Sequence, residues 1–346
     1  MTVELTELQD SARRVMNGAG LAAAEDALWS QIIELGWLLV AVPEALAGLE
    51  AGILGASTMH AELGRRLSAA PYLPAMLAVD AICQSDLIER DSWLERLVGG
   101  ELVTTALAEC RIRADGNRRL SGVAVGVQSA DSARHILVWT ADHDAVVLVA
   151  LDRPGVEITA RPTWDRTRRL FDVHLANVDL ADQTILAEGA GASVLIERLL
   201  SQRDFALAAD AIGGASALLD LTVEHLQTRV QFKRPLAMFQ ALKHRCADMK
   251  ASIAAAEAML FDGLRRVGES LDSADARHKS MGAKLLATSM FARVAEDCLQ
   301  LHGGIGMADE HPCHLFLKRS LLSEQLSGSA TAYAKELALE LLSSTK

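Results

Sequence analysis

Aromatic residues are scarce in this chain, 4% of 346 residues with only 2 Tyr. That disfavours a large β-sandwich and an aromatic platform on which bases could stack. Basic charge is short as well. Lys and Arg number 34 against 45 Asp and Glu, a formal net charge of −11, whereas sequence-independent nucleic-acid binding needs a basic face. The five cysteines (Cys83, Cys110, Cys246, Cys298, Cys313) form no CxxC pair. They read as core thiols of a reducing compartment rather than a disulfide framework. No run of about 18 apolar residues stands out, and the charged start MTVELTELQDSARR does not read as a signal peptide. A soluble, cytoplasmic protein with no membrane span and no nucleic-acid partner is the expectation.

What is abundant points to helices. Half the residues are hydrophobic, with Ala and Leu prominent, and these favour helix. At ~150 residues per domain the length suggests two to three domains. Leu28, Ile32, Leu35 and Leu39 form one helical stripe, stopped at Val42-Pro43-Glu44 with Gly48 and Gly52 beyond. A second helix is expected from Ser57 to about Leu67 and more helix up to Val98. The middle of the chain then changes character. Ile136–Trp139 and Val146–Val149 are β-branched runs of strand length, and Phe171–Ala176 alternates with period two. Turn residues separate them, so a small antiparallel sheet or barrel is expected. The helical period returns at Leu219, Val223, Leu226 and Val230, and at Ala287, Phe291, Val294, Cys298 and Leu301. The reading is a mostly α protein with a middle β domain, divided at 1–104, 105–185 and 186–346.

Two segments carry chemistry. One is Arg229-Val230-Gln231-Phe232-Lys233, the other Gln300-Leu301-His302-Gly303-Gly304-Ile305-Gly306. Arg229 offers a planar fork of donors suited to phosphate, and Phe232 a face for another ring. Gly303 and Gly304 let backbone turn or approach a ligand, and Gln300 brings an amide. Taken singly, an Arg closing a helix is a charge on the helix dipole and a Gly-Gly pair is a cap.

Taken together, and with Leu35-Gly36-Trp37, Val42-Pro43-Glu44 and Glu62-Leu63-Gly64-Arg65, these segments resemble the acyl-CoA dehydrogenases. That family oxidises acyl-CoA thioesters to 2-enoyl-CoA with FAD. The resemblance covers essentially the whole chain and implies an N-terminal helical domain, a β domain and a C-terminal four-helix bundle. It also implies an FAD site shared between subunits, in which Arg229, Gln231, Phe232, Gln300, Gly303 and Gly304 form the half that holds pyrophosphate and adenosine. An electron-transfer flavoprotein is the implied electron acceptor.

The departures from the family pattern concern the other half. The family's base is a carboxylate, yet the resemblance places Ser327 at one base position and Arg203 at the alternative one. Neither can take a proton from carbon as a carboxylate does. Asp204 and Glu324 are the nearby acids, although an acid on an amphipathic helix is usually a solvated surface charge. After Ser121-Gly122 the chain reads Val123-Ala124-Val125-Gly126-Val127-Gln128, without the Trp and Thr expected at the flavin ring. Ala108-Glu109 stands as a remnant of another family segment with Cys110 in place of Pro, and Lys233 replaces a Gly. The pattern resembles the short, base-lacking subunit of actinobacterial α2β2 enzymes acting on steroid-derived CoA thioesters, with a homologous subunit as partner. Two other readings stand beside it: an autonomous homotetramer using Asp204 or Glu324 as a displaced base, and a non-catalytic binding or scaffold relative. Asp165–Arg169 reads as a solvated turn at a domain edge, with CoA phosphates a lesser alternative. His302 reads as a packing or hydrogen-bonding residue. His311, Cys313 and His314 lack a fourth ligand, so no metal is expected.

Overall fold

A computed structural model describes residues 5–180 and 183–344. Five helices come first: α1 (Leu5–Ala19), α2 (Glu25–Glu34), α3 (Gly52–Arg65), α4 (Tyr72–Cys83) and α5 (Arg90–Val98). Seven strands follow, β1 (Val103–Ala114), β2 (Arg119–Gln128), β3 (His135–Trp139), β4 (Ala145–Ala150), β5 (Val156–Arg161), β6 (Leu170–Asp179) and β7 (Thr184–Glu188). The bundle comprises α6 (Ala190–Thr228), α7 (Gln240–Val267), α8 (Ala274–His302) and α9 (Cys313–Gln325), with α10 (Ala330–Ser344) beyond it. The architecture is thus mostly α with a middle β region.

The leading stripe is shorter than its spacing suggests. Leu28 and Ile32 are buried, but α2 ends at Glu34 and Leu35 is 49% exposed. Gly36 takes a left-handed φ of 65° and reverses the chain into a short 3-10 turn, Trp37–Leu39. A glycine just past a helix does this at little cost, and it overrides the apolar repeat. Val230 likewise falls outside α6, extended and 55% exposed. The helix expected to start at Ser57 starts at Gly52.

The sheet runs β5-β6-β2-β1-β3-β4-β7. It is not wholly antiparallel, because the first half of β1 pairs parallel with β3. Its second half pairs antiparallel with β2 after a bulge between Ala106 and Glu109. This switch lets one long strand serve both sides of the sheet.

Helix α6 is the axis of the molecule. It is long and apolar enough to span a bilayer, but 72% of its most apolar stretch is buried inside the protein, as in a core helix. It crosses α3 at backbone contact: a Cβ on Gly64 would come within 2.2 Å of the Asp210 carbonyl oxygen, and one on Gly213 within 1.9 Å of that of Ala61. Only glycine permits such an approach.

One buried side chain joins all three regions. Arg319 of α9 is 0% exposed. It donates to Asp165 Oδ2 at 2.8 Å, to the Ser68 carbonyl at 3.0 Å and to Thr167 Oγ1 at 2.6 Å, with Asp210 Oδ1 at 3.4 Å. Asp165, Thr167 and Arg168 are therefore buried rather than solvated. Arg169 pairs with Glu25 and Asp131. The loop from Asp165 to Arg169 is a junction between regions, with Arg169 occupied by two of the protein's own acids and Arg168 reaching Asp210 at 3.4 Å.

Candidate active site and cofactor half-site

The two positions that the resemblance assigns to the base converge in space. Arg203 and Asp204 lie in α6, and Ser327 lies in the loop between α9 and α10. Ser327 Oγ donates to Asp204 Oδ1 at 3.3 Å. Asp204 is 0% exposed, so it is no surface charge. It accepts from Tyr333 Oη at 2.9 and 2.8 Å, from Arg277 Nη1 at 2.5 Å and from Arg203 Nε at 3.2 Å. Burial pushes its pKa up, but the Arg203 and Arg277 cations with the Tyr333 and Arg277 hydrogen bonds outweigh that and hold it below the usual carboxylate range. Burial and the same carboxylate push the Tyr333 phenol up, so it stays a neutral donor.

The rest of the pocket is filled by cation. Lys284 of α8 is 0% exposed and donates to the Glu324 and Gly328 carbonyls at 3.2 and 2.6 Å. Its ammonium sits 4.3 Å from the Tyr333 ring centroid. Burial lowers its pKa to about 8. The Glu324 carboxylate turns aside and accepts weakly from Ser289 at 3.4 Å. Ser327 itself holds a left-handed φ of 59°, a conformation costly for a residue with Cβ. The sequence reading named Ser327, Arg203 and Asp204 but missed Arg277, Lys284 and Tyr333. Their separations in the chain leave no local motif, and the one available signal was that Tyr333 is one of two tyrosines.

The second constellation lies at the far end of the bundle. His225 in the last turn of α6 stacks on His302, the last residue of α8, with ring centroids 4.6 Å apart. That contact brings the Arg229 segment and the Gln300–Gly304 segment to one surface. Val230-Gln231 pairs antiparallel with Arg234-Pro235. The intervening Phe232 and Lys233 both take positive φ, 52° and 65°. A two-residue hairpin turn asks for this and glycine supplies it most easily, so Lys233 is strained where a Gly would not be. Phe232 is 83% exposed and meets Phe239 edge-on at 5.9 Å, while Arg234 stacks over Phe239 at 4.0 Å.

Arg229, Gln231, Gln300, Gly303 and Gly304 are all exposed. Among the described residues the Arg229 side chain has no hydrogen-bond or ion-pair partner. Gly303 has φ 65° and ψ −145°, backbone essentially restricted to glycine. A Cβ on Gly303 or Gly304 would meet nothing within 4 Å, so this backbone faces open space. A free guanidinium, a carboxamide, a bare glycine backbone and an exposed ring form a donor set able to hold a phosphate and cover a base.

The β region offers less. Glu109 is exposed and paired with Arg111. The Cys110 thiol donates to the Trp139 carbonyl at 3.1 Å, and burial pushes it up to about 12. Gly126 packs so closely that a Cβ there would come within 3.0 Å of Ala108. The segment after Gly122 is ordinary β2 strand with no aromatic ring on it.

Residues 189–338 match the family model described as "Acyl-CoA dehydrogenase, C-terminal domain". The acyl-CoA dehydrogenase FadE27 of Mycobacterium tuberculosis is 31% identical over 336 residues, covering 91% of this chain and 87% of that protein. The chain belongs to the acyl-CoA dehydrogenase family. The family's enzymes are FAD-dependent flavoproteins. Two solved structures superpose closely on this acyl-CoA dehydrogenase. A variant of the Tcur3481-Tcur3483 steroid ACAD is 28% identical with a TM-score of 0.86, covering 99% of this chain and 98% of that one. The ChsE4-ChsE5 complex from Mycobacterium tuberculosis is 27% identical with the same TM-score and coverage. As a fit to FAD, the bundle end of this acyl-CoA dehydrogenase has the donors and open backbone that an anionic dinucleotide needs, whereas β2 lacks a ring to pack on a flavin.

Proposed function

We propose that this chain is the base-lacking subunit of an α2β2 acyl-CoA dehydrogenase, lending one half of a shared FAD site to a homologous partner. The observation that carries this reading is the state of Asp204. A base must present a free carboxylate to the α-carbon, and this one is buried among two arginines, a tyrosine and a serine. Its lowered pKa makes it a still weaker proton acceptor. The displaced-base alternative therefore finds no support at Asp204, nor at Glu324, which turns to Ser289. Bound FAD would supply the acceptor for the β-hydride of the thioester, and a carboxylate of the partner would take the α-proton, so that the two losses together give the 2-enoyl-CoA.

The residues of this chain act at the other end of the cofactor. Arg229 would supply its guanidinium charge to the pyrophosphate. Gln300 supplies an amide, Gly303 and Gly304 admit the phosphates to backbone N–H groups, and Gln231 and Phe232 close over the adenosine. Electrons leave to an electron-transfer flavoprotein, and the complex is cytoplasmic. The steroid ACAD and the two-protein ChsE4-ChsE5 complex among the relatives support a heteromeric assembly and a steroid-derived acyl group.

Purification of the chain alone, beside co-expression with its homologous partner, tests this. The expected result is flavin and turnover only in the co-purified complex. A lone chain that carries stoichiometric FAD and dehydrogenates an acyl-CoA sinks the proposal. Absence of flavin in every assembled form replaces it with the scaffold reading.

A further inference from the structure

We propose that His225, His302 and His311 form a binding site for a zinc-class divalent cation. Among the described residues these three side chains place one ring nitrogen each within 4.8 Å of one another. They come from three separate pieces of chain: the last turn of α6, the end of α8, and the loop entering α9. The sequence trio of His311, Cys313 and His314 is not the one assembled here; His311 turns instead to the two helix ends.

The chemistry favours a soft-to-borderline metal over simple ring stacking. His302 is 6% exposed, and its Nδ1 donates to the Cys298 carbonyl at 2.8 Å. That fixes its tautomer and leaves the Nε2 lone pair facing the other rings. Nε2 is buried and has no hydrogen-bond partner. An orphaned buried acceptor is destabilising, and a metal ion satisfies it. A carbonyl accepting from the far nitrogen of a ligating imidazole is also the usual support for such a ligand. The ring pairs stand 4.6, 4.5 and 6.2 Å apart between centroids, too tilted for a continuous stack. His225 and His311 are half-buried, which leaves one side of the cluster open to solvent for a fourth, water ligand.

Zn–N bonds of ~2.0–2.1 Å place tetrahedral ligand atoms about 3.4 Å apart, so small ring rotations close the present spacing. The Cys313 amide donates to His311 Nδ1 at 3.2 Å. Metal capture through the other nitrogen requires the opposite tautomer of His311, at the expense of that single contact. Two exposed acids, Asp309 and Glu310, immediately precede His311 in the chain. Imidazole-only donors suit zinc, nickel and copper, and disfavour calcium and magnesium. The metal would clamp the end of α6 to the turn after α8, fixing Arg229 against Gln300–Gly304 whatever that surface binds.

The test is titration of the metal-stripped full-length chain with Co²⁺ alone, followed by its visible d–d absorption and by equilibrium dialysis. The expected result is one cobalt per chain with an intense visible band. Zn²⁺ should displace it, and Ca²⁺ and Mg²⁺ should not. His311→Asn and His225→Gln, both half-buried and so tolerant of change, should each lose the band and stoichiometric uptake. Circular dichroism checks that they stay folded, and their melting temperatures should no longer rise with Zn²⁺. Absence of cobalt uptake by the natural chain overturns the proposal, as does uptake that both variants retain.

Discussion

Two polar regions of the same helix, α6, treat their groups in opposite ways. At Asp204 every oxygen is engaged by the chain itself, and nothing faces solvent. About seven turns onward at Arg229 the guanidinium is free, an aromatic ring stands in water and two glycines expose bare backbone. A monomer gains nothing from leaving the second set unpaired. The difference teaches that the first region has been turned to holding the fold, while the second is kept for something outside the chain.

The sharpest way to break that contrast is at Asp204. Asp204→Ala leaves the buried Arg203 without a counter-charge and Arg277 with only a 3.9 Å contact to Glu336, and breaking a buried pair from one side costs ~3–5 kcal/mol. Urea denaturation should show that loss at neutral pH. The sign with pH follows from the depressed folded-state pKa. The contribution is fully present above the unfolded value of about 3.9 and disappears as pH falls through the folded value. The stability gap between the variant and the natural chain should therefore close only in strong acid. A variant of full stability that has lost turnover would instead make Asp204 a base.

At the open end the expected effects fall on assembly rather than folding. If Arg229 holds the pyrophosphate as proposed, Arg229→Ala would remove a charged hydrogen bond of ~1.5–3 kcal/mol, so FAD retention by the complex should drop roughly tenfold to a hundredfold. Its melting temperature as a lone chain should hardly change. Phe232→Ala removes an exposed ring. A loss of about 1 kcal/mol or more in flavin or partner affinity is expected, with chain stability unaltered, as read by gel filtration and flavin release. The smallest change should follow Glu109→Gln. That carboxylate pairs only with an exposed arginine, and surface substitutions of this kind stay within ~0.5 kcal/mol. A large activity loss there would restore Glu109 to the flavin site.

The sequence revealed the open region far better than the closed one. Arg229–Phe232 and Gln300–Gly304 are short and contiguous, so together they carry a family resemblance, although each taken alone reads as an ordinary helix end. The alternation at Phe171–Ala176 likewise foretold β6, and the stripes at Leu219–Leu226 and Ala287–Leu301 foretold α6 and α8. The Asp204 cluster joins residues 73 and 129 positions apart, and no periodicity encodes such a meeting. Arg319 reaches 154 positions back to Asp165, which is why the charged loop from Asp165 to Arg169 read as solvated. The two helical stripes that overran their helices share a cause of another kind. Apolar residues at Leu35 and Val230 continue a repeat after the backbone has already turned, at Gly36 in one case and into a hairpin in the other.

Arg319 has a consequence for how the molecule can come apart. One guanidinium is bonded at once to the turn between α3 and α4, to the loop before β6 and to α6. Pulling α6 or the loop before β6 away separates the buried cation from one of its two carboxylates, and pulling the turn away removes its carbonyl acceptor. The three regions that look separable on paper should therefore melt as one cooperative unit, and limited proteolysis should release no stable fragment before the whole chain gives way.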